Sequence, residues 1–123
     1  MSGVKFLLDT NVILGMLKST PDVMSLVVEN DLMANQCAFS IITRMELLGY
    51  PGITNSEDAL IRQRLEQFTC IGITPEIENL AIELRRARRI KLPDALIAAT
   101  AISQGWGLLT LDQGLMSVVL GAH

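Results

Sequence analysis

Histidine is nearly absent from this 123-residue chain: the one copy, His123, is the last residue. That excludes a Ser-His or Cys-His triad and any multi-histidine metal site, so catalysis would have to run on carboxylates, hydroxyls, amides or basic groups. Cysteine is almost as scarce. Cys37 and Cys70 lack metal-type spacing and lie in the apolar runs QCAFS and FTCIGI, where two reduced core thiols are expected. Aromatic residues are few, namely Phe6, Phe39, Phe68, Tyr50 and Trp106, which leaves little for base stacking. Trp106, after Gly105, reads as a packing residue. No apolar run reaches the ~18 residues that span a bilayer. The opening MSGVKFLLDT turns polar too soon for a secretory signal. A cytoplasmic protein without membrane association is the expectation. Net charge is −3, so the whole-molecule field does not favour nucleic acid.

What remains is apolar and ordered. Half of the residues are hydrophobic and 19% are charged, which argues for one compact domain over residues 1–123 and against disorder. VKFLL (4–8), QCAFS (36–40), TCIGI (69–73) and GLLT (107–110) are short apolar runs that read as buried strands, and SVVL (117–120) is a candidate fifth. Helical patterns lie between them: NVILGMLK, DVMSLVVEN, IITRMELLGY capped by Ser40, EDALIRQRLEQF capped by Asn55 or Ser56, and EIENLAIELRRARR. A last helix runs from Pro93 to about Gln104, closed by Gly105. It is almost wholly apolar and small, so it should be buried. Strands alternating with helices indicate an α/β fold with a mainly parallel central sheet and helices on both faces.

Most of the 13 acidic residues have ordinary explanations. Asp22, Glu57, Asp58, Glu76 and Glu78 fall in first turns of expected helices, at the favourable end of the dipole. Glu29, Asp31, Glu66 and Glu83 fall on solvated stretches. Four resist this sorting. Asp9 ends the first strand, Glu46 lies among Met45, Leu47 and Leu48, Asp94 heads the alanine-rich helix, and Asp112 follows the strand GLLT. Each borders an apolar segment, where a lone charge is costly. Ligand sites in open parallel sheets gather at the carboxyl ends of strands, where Asp9 and Asp112 fall. Carboxylates converging there would need a hard divalent cation such as Mg²⁺ or Mn²⁺ between them. Thr10, Asn11 and Thr110 could orient carboxylates or bound water. Taken singly, each of these residues could equally be a cap or turn former.

Half of the basic residues crowd into one short run: Arg85, Arg86, Arg88, Arg89 and Lys91. The run could contact RNA phosphates or an acidic protein segment, or could simply be a solvated face.

Four motifs, LLDTNVIL (7–14), SIITRMELLGY (40–50), KLPDALIAATA (91–101) and GLLTLDQ (107–113), together resemble the PIN-domain ribonucleases. The likeness is greatest to the VapC-type toxins of toxin–antitoxin pairs. The resemblance implies a three-layer α/β/α fold and a Mg²⁺- or Mn²⁺-dependent endoribonuclease that leaves a 5′-phosphate and a 3′-hydroxyl. It implies an antitoxin partner and a homodimer. It maps the acidic site onto Asp9, Glu46, Asp94 and Asp112, as catalytic residues and metal ligands, with Thr10, Asn11 and Thr110 as polar supports. One departure stands out. Many relatives continue the last motif as D-x-D-F, whereas here Asp112 is followed by Gln113, Gly114 and Leu115. The missing acid lowers the site charge and bears most on a second metal. It also keeps open a non-catalytic PIN-like module that binds RNA or protein. A separate alternative, phosphoryl transfer through an aspartyl-phosphate at Asp9, lacks the second acid that one common pattern places two residues on.

Overall fold

The structure is a computed structural model that describes residues 3–122; His123 and the first two residues of the N-terminal stretch lie outside them. Four strands, β1 (Phe6–Leu8), β2 (Cys37–Ser40), β3 (Thr69–Ile71) and β4 (Gly107–Leu109), form one sheet in the order β3-β2-β1-β4. Every pairing is parallel, with Phe6 opposite both Cys37 and Gly107. Among the described residues, seven helices surround it: α1 (Thr10–Lys18), α2 (Pro21–Glu29), α3 (Ile41–Leu48), α4 (Asn55–Leu65), α5 (Pro75–Ala87), α6 (Leu92–Gln104) and α7 (Gln113–Ala122). A 3₁₀ turn, Ala34–Gln36, leads into β2.

Strand side chains alternate between two cores, which is why the inner strands read as continuous apolar runs. Leu8, Phe39 and Leu109 enter one core with Val12 and Ile13 of α1, Val23 of α2, Leu47 of α3 and Ile61 of α4. Leu7, Ala38 and Leu108 enter the other with Ile97, Ala98 and Ala101 of α6 and Val118 and Val119 of α7. Trp106 packs against this second core, as its neighbours suggested. Helix α5 stacks on α6 through Ile77, Ala81, Ala95 and Ala99, where small side chains let the two backbones approach. The result is the expected three-layer α/β/α arrangement.

Three expectations are corrected. SVVL is not a fifth strand but part of α7: Val118 and Val119 are buried and Ser117 and Leu120 exposed, a helical rather than alternating pattern. Helix α4 is capped by Thr54, not by Asn55 or Ser56, because Thr54 and Glu57 form a reciprocal capping box at 3.1 and 3.0 Å. Cys70 is exposed on the edge strand β3, so only Cys37 is a core thiol. Elsewhere the punctuation residues act as expected. Ser40 accepts from the Ile42 N–H, Thr74-Pro75 opens α5, and Gly105 ends α6 at φ 72°, a conformation suited to glycine.

Candidate active site

Strand β1 occupies the middle of the sheet, and the chain leaves it first toward β2 and later returns to its other side as β4. The carboxyl end of β1 is thus the topological switch point, the place where open α/β sheets characteristically bind ligands. Asp9 stands there, immediately after β1 and just before α1.

Asp9 is only 5% exposed. Its Oδ1 accepts from the Thr10 N–H at 2.7 Å. Its Oδ2 accepts from the Thr110 hydroxyl at 2.7 Å and from Asn11 Nδ2 at 3.4 Å. Every donor is neutral. Burial is the main influence and pushes the Asp9 carboxyl above the ordinary range. The Thr110 and Thr10 hydrogen bonds pull it back, and the charges of Asp94 and Glu46 raise it again. The like charge of three carboxylates is therefore felt at one buried point.

The polar neighbours tie the site together across the sheet. Thr110, 3% exposed at the end of β4, also accepts from the Asp112 N–H at 3.0 Å and from Asn11 Nδ2 at 3.4 Å. Asn11 Oδ1 accepts from the Leu111 N–H at 3.2 Å, so one side chain of α1 clamps the loop after β4. The Thr10 hydroxyl donates to Glu46 Oε1 at 2.7 Å and lies 3.0 Å from the Thr43 hydroxyl. Thr43 is a fully buried polar residue that the sequence reading passed over; its signal was its place three residues before Glu46, on the same face of α3.

The four acids are not equivalent. The expectation that all of them border the apolar interior holds for Asp9, and Asp94 is half-buried, but Glu46 and Asp112 are exposed. Glu46 lies at the solvent edge of the side of α3 that carries the buried Thr43 and Leu47. Asp112 uses Oδ1 to accept the Leu115 N–H at 3.1 Å and so caps α7, leaving its other oxygen for the crevice. Asp94, in the first turn of α6, has no hydrogen-bond or ion-pair partner among the described residues. The N-terminus of α6 has no side-chain cap either.

Asp94 and Asp112 line one groove of about 490 Å³ together with Arg88, Arg89, Lys91 and Gly114. Arg85 and Arg86 are not in it; they line a separate groove with Ile73, Ile82, Leu92 and Leu96. The basic run is therefore divided between two grooves. Position 114, where the acid of many relatives is missing, opens onto the groove of the two aspartates.

The donor set is all hard oxygen, which suits Mg²⁺ or Mn²⁺. Among the described residues, however, no three His, Cys, Asp or Glu side chains converge tightly enough to hold an ion by themselves. Mg²⁺ commonly keeps several waters and takes only one or two carboxylates directly. A buried carboxylate with neutral partners beside an unpaired Asp94 fits that kind of site.

The PIN domain family model matches residues 6–119, which span β1 through most of α7 and include every residue of the site. No curated protein matches the chain. Among solved structures it is similar to a toxin–antitoxin complex from Klebsiella pneumoniae, at 28% identity over 88% of this chain and 87% of that one, with a TM-score of 0.76. FitAcB from Neisseria gonorrhoeae (24% identity, 93% and 92% covered, TM-score 0.74) shares the fold. So does VapBC2 from Rickettsia felis bound to a DNA fragment from their promoter (23%, 89% and 88%, TM-score 0.73). With its parallel sheet, with Asp9 at the end of the central strand and with the family model matched over residues 6–119, the chain belongs to the PIN domain family.

Proposed function

We propose that the protein is a Mg²⁺- or Mn²⁺-dependent endoribonuclease and the toxin half of a toxin–antitoxin pair, acting in the cytoplasm as one domain over residues 1–123. The observation that carries the reading is Asp9: a buried carboxylate, raised in pKa by burial and by Asp94 and Glu46, whose hydrogen-bond partners are all neutral. Such a site is electrostatically unfinished without a cation. The likeness to the Klebsiella pneumoniae toxin–antitoxin complex supports the pairing with an antitoxin, and a homodimer is part of the same proposal. Among the described residues, no helix is long and apolar enough to cross a membrane.

Asp9 and Asp94 would hold the ion, with Asp112 and Glu46 reaching it directly or through water. When bound, the ion would polarise a non-bridging phosphate oxygen and lower the pKa of a water molecule. The remaining tasks fall to the chain. Thr110 and the Thr10 N–H keep both oxygens of Asp9 oriented. Thr10 fixes Glu46 so that its second oxygen can take a proton from the attacking water. The uncapped start of α6 adds a positive dipole end beside the phosphate. No side chain attacks covalently.

The test is cleavage of a mixed-sequence RNA in Mn²⁺ by wild type and Asp94→Asn, with calorimetric Mn²⁺ titration and circular dichroism on both. Cleavage and saturable binding in the wild type, both lost in a folded variant, are expected. A variant that cuts as well as the wild type would overturn the assignment. The exposed Glu46 and the absent acid at position 114 favour a second reading, a non-catalytic binding module. That reading predicts a folded wild type that binds RNA and never cuts it.

A further inference from the structure

The groove beside Asp94 and Asp112 holds three cations, Arg88, Arg89 and Lys91, carried by the turn between α5 and α6. All three are exposed. None of them makes an ion pair or a side-chain hydrogen bond among the described residues, although two carboxylates share their groove. By contrast, Arg62 on α4 is paired with Asp58 at 2.7 Å. Cations outnumber carboxylates in the groove, so it is positive in a protein of net charge −3. Its other lining residues include Ile90, Leu115 and Val118, and none is aromatic.

Building on the nuclease reading, we propose that Arg88, Arg89 and Lys91 hold the phosphodiester backbone of the RNA strand as it passes the acidic site, whereas Arg85 and Arg86 take no part. An anionic strand laid in this groove would place its phosphates on the three cations, beside the side of the groove that carries Asp94 and Asp112. Without an aromatic platform the contact is to backbone rather than to bases, so binding through this flank is governed by salt and tolerant of sequence. Arg85 and Arg86 lie on the other groove, lined mainly by apolar residues.

The test is binding of a fluorescein-labelled, mixed-sequence single-stranded RNA in EDTA, where no cleavage occurs, over about 20–200 mM KCl. Three phosphate contacts on a single strand contribute about 2 to the slope of log K against log salt. The Arg88→Gln/Arg89→Gln/Lys91→Gln variant is expected to lose that share. Arg85→Gln/Arg86→Gln should change the slope by well under 1, and Arg88→Lys/Arg89→Lys should preserve it, because the slope counts charges. Circular dichroism confirms that each variant is folded. Wild-type cleavage of the same RNA in Mn²⁺ is measured alongside. Cleavage together with a wild-type slope in the triple variant would overturn this inference and leave the nuclease reading standing. A wild type that neither binds nor cuts would overturn both. A triple variant that keeps its RNA slope but loses binding to poly-glutamate would overturn the inference in favour of an acidic protein partner.

Discussion

Thr110→Val tests whether the acidic crevice is held together as described. The two side chains have nearly the same shape, and Thr110 is buried, so the change removes a hydroxyl without opening a large cavity. What is lost is the 2.7 Å donor to Asp9 Oδ2, and an acceptor for the Asp112 N–H at 3.0 Å and, at a long 3.4 Å, for Asn11 Nδ2. Asp112 is exposed, and water can replace the second loss. Asp9 is 5% exposed, so water has little access to it, and the donor left on Oδ2 is Asn11 Nδ2 at a long 3.4 Å. A hydrogen bond to a charged group is worth about 1.5–3 kcal/mol, against about 1 kcal/mol for a neutral one. The cost should therefore depend on the state of Asp9. Its folded pKa already lies above its unfolded value, mainly through burial. In such a group the folded state holds the proton more tightly, so stability falls as pH climbs from the unfolded value through the folded one. Loss of the Thr110 donor raises the folded pKa further and deepens that fall. Urea denaturation should show a destabilisation of about 1 kcal/mol near pH 4 that grows to about 2–3 kcal/mol near pH 7.5. A pH-independent loss, or a loss below about 0.5 kcal/mol at both values, would refute the account of Asp9 as a buried charge held by this hydroxyl.

Three further outcomes follow from other parts of the molecule. Gly114→Asp should tighten Mn²⁺ binding, measured by calorimetry, because position 114 opens onto the groove of Asp94 and Asp112; unchanged affinity would place the ion elsewhere. The new Cβ would lie 3.3 Å from Asp112 Oδ1, a displacement that an exposed carboxylate can absorb. Iodoacetamide should modify Cys70 in the native protein and leave Cys37 untouched until unfolding, since Cys37 is buried and its thiol is pushed up to about 11; mass spectrometry of the native protein reads this directly. Gly15→Ala should destabilise by about 1–3 kcal/mol in denaturant titration, because a Cβ there would collide with Val23 and with the Thr20 hydroxyl where α1 crosses α2.

The fold was legible wherever one physical signal dominated. Strand β1 shows as an apolar run cut off by Asp9, and α6 as a stretch of small apolar residues between Pro93 and Gly105. SVVL misled because four apolar residues carry too little period to separate a strand from a buried helix turn. The cap of α4 was misplaced because Thr54, Asn55 and Ser56 are all good N-cap types, and only the reciprocal bond with Glu57 decides among them. Within the site, Asp9 and Asp94 could be picked out as acids bordering apolar segments. The exposure of Glu46 depends on which way α3 faces, and the capping role of Asp112 depends on a helix read as a strand. The division of the basic run could not be read at all, since α5 ends at Ala87, between its two parts, and the chain then turns.

The central position of β1 has a consequence for the order in which the site can form. Asp9 is made early, but its neighbour β4 and the Thr110 hydroxyl belong to the last strand, and the Thr110–Asp9 bond spans 101 residues. Contacts so distant in sequence close late in folding. A growing chain would carry Asp9 through most of its synthesis without the Thr110 donor, leaving only the nearby Asn11 to bond Oδ2. The site is completed only when the last strand docks, and a product truncated before β4 would keep Asp9, Glu46 and Asp94 but lack Thr110 and Asp112.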